Sequence, residues 1–327
     1  MAPSFGNICN SNKEKRIGLK WVGHGIDSGL PQNWSDIASS SDGTKLIASV
    51  SGGQLYTSTD SGVNWTARAS SRYWSSVASS ADGVKLAAVE YASVGRLYTS
   101  TDSGVTWTYQ TNAPTGLLKS IVSSSDGTKL VIAKYNSYIY TSTDSGVNWT
   151  ERTGSTSKNW LQTVSSSDGT QLLALYGGQF DGGKIYKSTD SGATWSVSSE
   201  TRTWMSIASS SDGTKLAACA YSDGVYTSTD SGANWTLRSN AGSHPWNNIA
   251  CSSNGRIIIA STDTGGNGIY ISKDYGVNWK LVSTIPDGIW NGVEPWSGIS
   301  CSSDGKRIAI TSAYDNPLYG QIYTSYI

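Results

Sequence analysis

Ser58-Thr-Asp-Ser-Gly-Val-Asn-Trp65 decides how this chain is read, because the pattern S-x-D-x-G-x-x-W returns five more times. The further copies are Ser100–Trp107, Ser142–Trp149, Ser188–Trp195, Ser228–Trp235 and Ser272–Trp279. They recur about every 42 residues, a period that marks a repeat architecture. A second turn accompanies each copy, usually S-S-x-D-G, centred on Asp42, Asp82, Asp126, Asp168, Asp212, Asn254 and Asp304. These seven turns number the repeat units one to seven. Asp-Gly or Asn-Gly between apolar runs is a strong hairpin signal, and both residues are expected to take positive φ.

Four short strands can be read in each unit. In unit five they are Trp204-Met-Ser-Ile-Ala-Ser, Lys215 to Tyr221, Val225-Tyr-Thr-Ser and Trp235-Thr-Leu-Arg. Seven such units predict an all-β, seven-bladed β-propeller with four antiparallel strands per blade. The chain ends fit a closed ring. Gln321-Ile-Tyr-Thr-Ser325 matches a third strand, and Ile17-Gly-Leu-Lys-Trp21 offers the missing fourth, with Trp21 at the turn-tryptophan position. The expected organisation is a tail over 1–15 and one propeller domain over 16–327.

The S-x-D-x-G-x-x-W turn resembles the Asp-box, or bacterial-neuraminidase repeat, of sialidases, sortilin-type receptors, photosystem II assembly factors and several lectins. The resemblance spans nearly the whole chain and implies propeller topology, with the turns on the lower outer edge away from the ligand. It does not imply an activity, since those families act differently. Asp60, Asp102, Asp144, Asp190, Asp230 and Asp274 are therefore read as structural Asp-box residues. A single carboxylate per turn is a poor calcium cage, so no metal is expected.

Composition narrows the function. Lys plus Arg equals Asp plus Glu at 24 each, and charged residues are 15% of the chain. No long-range field would draw it to nucleic acid or an anionic membrane. No stretch has the length and apolarity of a transmembrane helix, and Met1 to Arg16 lacks a signal-peptide core. The chain thus reads as intracellular, or as a mature or virion-borne protein, which leaves its compartment open; a monomer is expected. Cys9, Cys219, Cys251 and Cys301 match no zinc or redox spacing. The two histidines, His24 and His244, cannot build a histidine-rich metal site. No cofactor is expected.

Recognition is expected on the loop face opposite the Asp-boxes, where loop length varies. Eight residues before each Asp-Gly turn stand Trp34, Trp74, Leu118, Trp160, Trp204, Trp246 and Trp296. In a two-residue hairpin Trp74 would face Tyr91, and Trp204 would face Tyr221. These aromatics either fill the space between blades or expose faces that stack on sugar rings. Arg72, Tyr73, Lys158, Asn159, Arg202, His244, Asn247, Trp290 and Glu294 lie beside them as polar or aromatic partners. An apolar platform with a few fixed polar groups is what a saccharide needs, and repeated weak sites gain from avidity.

The leading expectation is a non-catalytic, lectin-like module with multivalent carbohydrate recognition. The alternatives are a scaffold or protein-interaction component of a larger particle, and a polysaccharide-active glycosidase. Half of the 24 acids belong to the two turns, the sialidase R-I-P segment is absent, and the arginines are scattered rather than clustered. No G-x-S-x-G, phosphate-binding glycine loop or H-E-x-x-H occurs. No catalytic residue is assigned.

Overall fold

Each Asp-Gly turn closes a hairpin between a unit's first and second strands. In unit one Ser40 and Lys45 pair across the loop, and the Gly43 amide donates to the Ser40 carbonyl at 3.0 Å. The turn glycines take φ between 65° and 72°, but the preceding Asp does not join them in the left-handed region. The expected pair of positive-φ residues is thus corrected to one. The Asp instead works through its side chain. Asp42 Oδ1 accepts from the Ser40 hydroxyl at 2.6 Å and the Thr44 amide at 3.0 Å.

The Ser and Asp bonds of the S-x-D-x-G-x-x-W turn recur in all six copies, and the tryptophan bond in five of them. In the copy at Ser142, its hydroxyl donates to Asp144 Oδ1 at 2.8 Å and accepts the Gly146 amide at 2.9 Å. Asp144 also takes the Asn148 amide and side chain, at 2.9 and 2.8 Å. The Trp149 indole N–H reaches the Gly146 carbonyl at 2.8 Å. A residue the sequence does not mark, Ser145, is held left-handed at φ 59°, and its amide donates to the Thr128 carbonyl at 2.8 Å. That bond joins the two turns of a unit at one end of the strands, the lower face. Ser142 is buried, so Ser142→Ala should strand the Gly146 amide and cost about 1–3 kcal/mol, read by urea unfolding. An unchanged midpoint would show that the turn carries no stability.

The computed structural model of the protein describes residues 17–18, 21–24, 32–177, 182–263, 268–283, 296–312 and 321–327. The proposed tail over 1–15 lies outside them. The architecture is an all-β propeller, and its described strands form six sheets. This corrects the expected seven separate four-stranded blades. Units one and two share a single six-stranded sheet, because Leu46–Ser58 and Thr66–Ser79 each run unbroken through two strand positions. Ser51 pairs with Tyr73 and Gly53 with Arg72, which zips the outer part of unit one onto the inner strand of unit two.

Trp21–His24 pairs antiparallel with Ile322–Tyr326, so the N-terminal strand completes the C-terminal sheet. The paired segment begins at Trp21, which corrects the expected fourth strand over Ile17 to Trp21. Ile17–Gly18 instead adds in parallel to Lys280–Ser283 of unit six, making that sheet five-stranded.

First strands contact one another around the inside of the ring. At its lower end Ser41, Ala81, Ser125, Ser167, Ser211, Ser253 and Ser303 each donate a backbone N–H to the next carbonyl at 2.7–2.8 Å. Ser303 donates to Ser41, so the circle closes through hydrogen bonds. The apolar clusters lie between neighbouring units, as with Trp34, Ile37 and Leu46 of unit one against Ala309 and Ile322 of unit seven.

A bulge after each first-strand tryptophan sets the upper end. Trp74 pairs with Glu90 and Trp204 with Ala220, the shift falling between Trp74/Ser76 and Trp204/Ser206. The expected facing of Trp74 with Tyr91 and Trp204 with Tyr221 is corrected by that one residue. The bulge aims the next side chain at the adjacent unit. The Ile121 amide donates to Ser76 Oγ, the Thr163 amide to Ser120 Oγ, and the Ile207 amide to Gln162 Oε1 at 2.9 Å.

Unit seven has Gly298 at this position and can offer no such acceptor. Asp36 compensates from unit one. Its Oδ1 takes its neighbour's amide, that of Ile37, at 2.8 Å. Its Oδ2 takes the Ser76 hydroxyl at 2.8 Å and the Val77 amide at 3.0 Å.

Candidate functional site

The sequence-predicted aromatic platform is inward-facing. Trp34, Trp74, Trp160, Trp204, Trp246 and Trp296 are all buried, each no more than 5% exposed. Each packs edge-on against the third-strand tyrosine of its own unit. The pairs include Trp74 with Tyr98 at 5.4 Å, Trp204 with Tyr226 at 5.1 Å and Trp246 with Tyr270 at 5.0 Å. These six are core, not sugar-stacking faces. Trp290 and Glu294 lie outside the described residues. Tyr73 is exposed, Asn159 is half-buried, and Asn247 is spent on the Trp296 carbonyl at 2.9 Å.

Arg72, Lys158, Arg202 and His244 share a position two residues before the first-strand tryptophan, which the linear reading does not single out. There they cover the same tyrosines. Arg72 lies 4.7 Å from the Tyr98 ring, Lys158 5.5 Å from Tyr186 and Arg202 4.6 Å from Tyr226. His244 stacks on Tyr270 at 5.1 Å and 29°. A cation on a tyrosine face contributes about 0.5–1 kcal/mol where exposed. Arg72 is tied to the buried Glu90 at 3.0 Å, and Arg202 to Asp223 at 2.8 Å and Glu200 at 3.0 Å.

A second repeated contact closes the side of the ring, between the residue three after each turn tryptophan and the residue before each turn serine. Arg68 bonds Thr57, Gln110 bonds Thr99, Arg152 bonds Thr141 and Arg238 bonds Thr227, at 2.6–3.0 Å. His24 bonds Thr324 at 2.8 Å. In unit six the pair is apolar, Val282 with Ile271. Unit four breaks the pattern at both members, with Ser198 and Lys187.

The consequences are local. Ser198 donates to the Gly232 carbonyl at 2.6 Å, and the Trp235 indole turns to the Ser198 carbonyl at 2.8 Å rather than to its own turn glycine. The linker to Trp204 is two residues shorter than those after units three and five, whose 3₁₀ turns seat the buried Ser155 and Ala241. With a short serine at position 198, no plug, and Lys187 turned to the Ser231 carbonyl at 3.5 Å, a groove of about 600 Å³ opens between units four and five. Its lining includes Arg202, Glu200, Tyr226, Trp235, Asn234 and Ser199. Val197 and Leu237, about half exposed, edge it on the short outer strands Ser196–Val197 and Thr236–Leu237. Of the expected ligand residues, the groove gathers Arg202 and the buried edge of Trp204.

No group of three or more His, Cys, Asp or Glu able to hold a metal occurs among the described residues. Cys219 and Cys301 are pushed up to about 12 by burial, so neither is a thiolate at neutral pH. The turn carboxylates lie well below the usual range. Hydrogen bonds from Ser, Thr or Asn side chains and turn amides hold Asp42, Asp102, Asp126, Asp168, Asp190, Asp212 and Asp230 at about 2. No described helix is long and apolar enough to cross a membrane.

These features define a β-propeller with a lateral groove. No protein-family model matches the chain, and no curated protein matches it. Its fold is similar to that of YCF48 bound to D1 peptide, with a TM-score of 0.68, 17% identity, and coverage of 96% of this chain and 99% of that one. It is also similar to a GH74 xyloglucanase from Xanthomonas campestris, at 0.69 and 16%, covering 90% of this chain and 52% of that one. Hydrazine synthase from Kuenenia stuttgartiensis shares the fold at 0.67 and 15%, covering 93% and 98%. At such identities the likeness is one of fold, and the fold serves both binding proteins and enzymes.

Proposed function

We propose that this chain is a non-catalytic interaction module that seats a protein segment in the groove between units four and five. The observation that carries the reading is the short Ser198 on the groove wall, at the position where the other units place Arg, Gln, His or Val, while its partner Lys187 reaches the Ser231 carbonyl instead. It opens a space beside exposed outer strands, whose free backbone edges can pair with an extended peptide. The described carboxylates there are engaged by Arg202, which suits recognition better than proton transfer. The fold of a peptide-bound YCF48 accords with a protein partner.

Lectin-like binding is the second reading, in keeping with the Asp-box resemblance. What favours it is the half-buried Trp235 ring beside Asn234, Arg202 and Glu200. The buried first-strand tryptophans argue against one sugar site per blade, so a saccharide would bind once.

The test rebuilds the missing contact. In K187T/S198R the arginine should reach the new threonine as Arg152 reaches Thr141, and fill the groove. A random peptide library and a glycan array are probed with both proteins. The expected result is peptide binding by the parent that falls at least tenfold in the variant. Glycan binding lost in the variant would favour the second reading. Undiminished binding of either kind would remove the groove from the account.

A further inference from the structure

The upper ends of units three and four carry lysines that pair with no described carboxylate. Lys119 follows Leu118 at the inner mouth of unit three, and Lys134 ends the strand Leu130–Lys134 that pairs with it. Lys158 precedes Trp160, and Lys184 pairs across from Tyr176. All four stand at the strand ends opposite the Asp-Gly turns. Among the described residues, none is within ion-pair distance of an acid, in contrast to Arg72 and Arg202 on the flanking units. Glu151 of unit three accepts the Tyr140 hydroxyl at 2.6 Å, and Glu90, beside Tyr91, is held by Arg72 at 3.0 Å.

The lysines are interleaved with tyrosines. Lys119 lies 5.1 Å from the Tyr91 ring, which meets Tyr135 edge-on at 6.3 Å. Lys134 lies 5.8 Å from Tyr140, and Lys158 4.9 Å from Tyr176. Lys119 is exposed at its strand end, so a carboxylate can reach its ammonium directly. The tyrosine faces are already taken by ammonium groups. A base or a sugar ring would have to displace those cations to stack, whereas a carboxylate needs only the cations and the phenol hydroxyls.

We propose that this arc is a docking surface for an acidic protein segment, an extended stretch of Asp or Glu laid across the upper face of units three and four. It is distinct from the lateral groove and stands whether or not the groove binds a peptide. In a chain with no net charge, the described residues of the arc hold a local excess of positive charge whose reach is set by salt.

The probe is a fluorescein-labelled octaglutamate peptide, read by anisotropy against the full chain. Equal-length single-stranded DNA and a heparin-derived oligosaccharide serve as competing polyanions. Octaglutamate should bind, weaken with added salt, and lose roughly tenfold in affinity in K119A/K158A, as for two exposed ion pairs. K45A/K85A, on the lower face, should bind as the parent does, and far-UV circular dichroism checks that both variants fold. Tighter binding of the DNA or the oligosaccharide would overturn the acidic-protein assignment. Equal octaglutamate affinity in K119A/K158A and the parent, or no binding at low salt, would overturn the site itself.

Discussion

Removing residues 1–24 should lower the melting temperature by roughly 10 °C or more and broaden the transition. The truncation takes away the strand Trp21–His24, which pairs with Ile322–Tyr326, together with a tryptophan that is only 3% exposed. Loss of a buried tryptophan alone costs about 3–5 kcal/mol. It also removes the His24 to Thr324 bond that closes the side of unit seven and exposes an unpaired sheet edge. Differential scanning calorimetry checks the outcome, and Trp21→Ala separates packing from edge exposure. A truncated chain that melts within about 2 °C of the parent would mean that this strand does not hold the ring shut.

The second large effect is a dependence of stability on pH centred on Asp36. Burial pushes its carboxyl up to about 6 from 3.8, against the bonds from Val77, Ser76 and Ile37 that favour the charged form. A folded-state pKa above the unfolded one means that the folded chain holds the extra proton between about pH 4 and 6. Stability is then highest below that window and falls as pH rises through it. The full difference corresponds to about 3 kcal/mol, and partial exposure of the side chain reduces this to about 1–3 kcal/mol.

The turn carboxylates act in the opposite sense. Their folded pKa is about 2, so the stability they confer is present above pH 4 and lost as pH falls towards 2. The melting temperature of the parent should therefore peak near pH 4–5 and decline towards pH 7. Asp36→Asn should abolish the decline above the peak and keep the acid limb. A variant whose profile parallels that of the parent would assign the decline to other groups.

Much of this architecture could be read in the sequence. The period, the two turns and the contribution of both chain ends to one sheet all follow from local chemistry that each unit repeats. The grouping into six sheets could not be read, because it depends on Ser51 and Gly53 reaching Tyr73 and Arg72 across a linker. The fate of the tryptophans was ambiguous for a related reason. Spacing places Trp74 at the top of its strand, but only the bulge and Tyr98 decide that its ring turns inward.

The groove left a clear trace that alignment of the units would have caught. Arg68, Arg152 and Arg238 share one position, and Ser198 is the short residue standing there in unit four. What the sequence hides is the partner, Lys187, eleven residues away on the adjoining strand. Asp36 is hidden likewise, since its role comes from the missing side chain at Gly298 on the far side of the chain.

The central claim is that ligand enters between units four and five because Ser198 is too short to fill that space. The most direct measurement is the affinity of a library-selected peptide for the parent, for K187T/S198R and for K85A on the lower face. A loss of at least tenfold in the first variant alone is the predicted result. Equal affinity across all three proteins would contradict it.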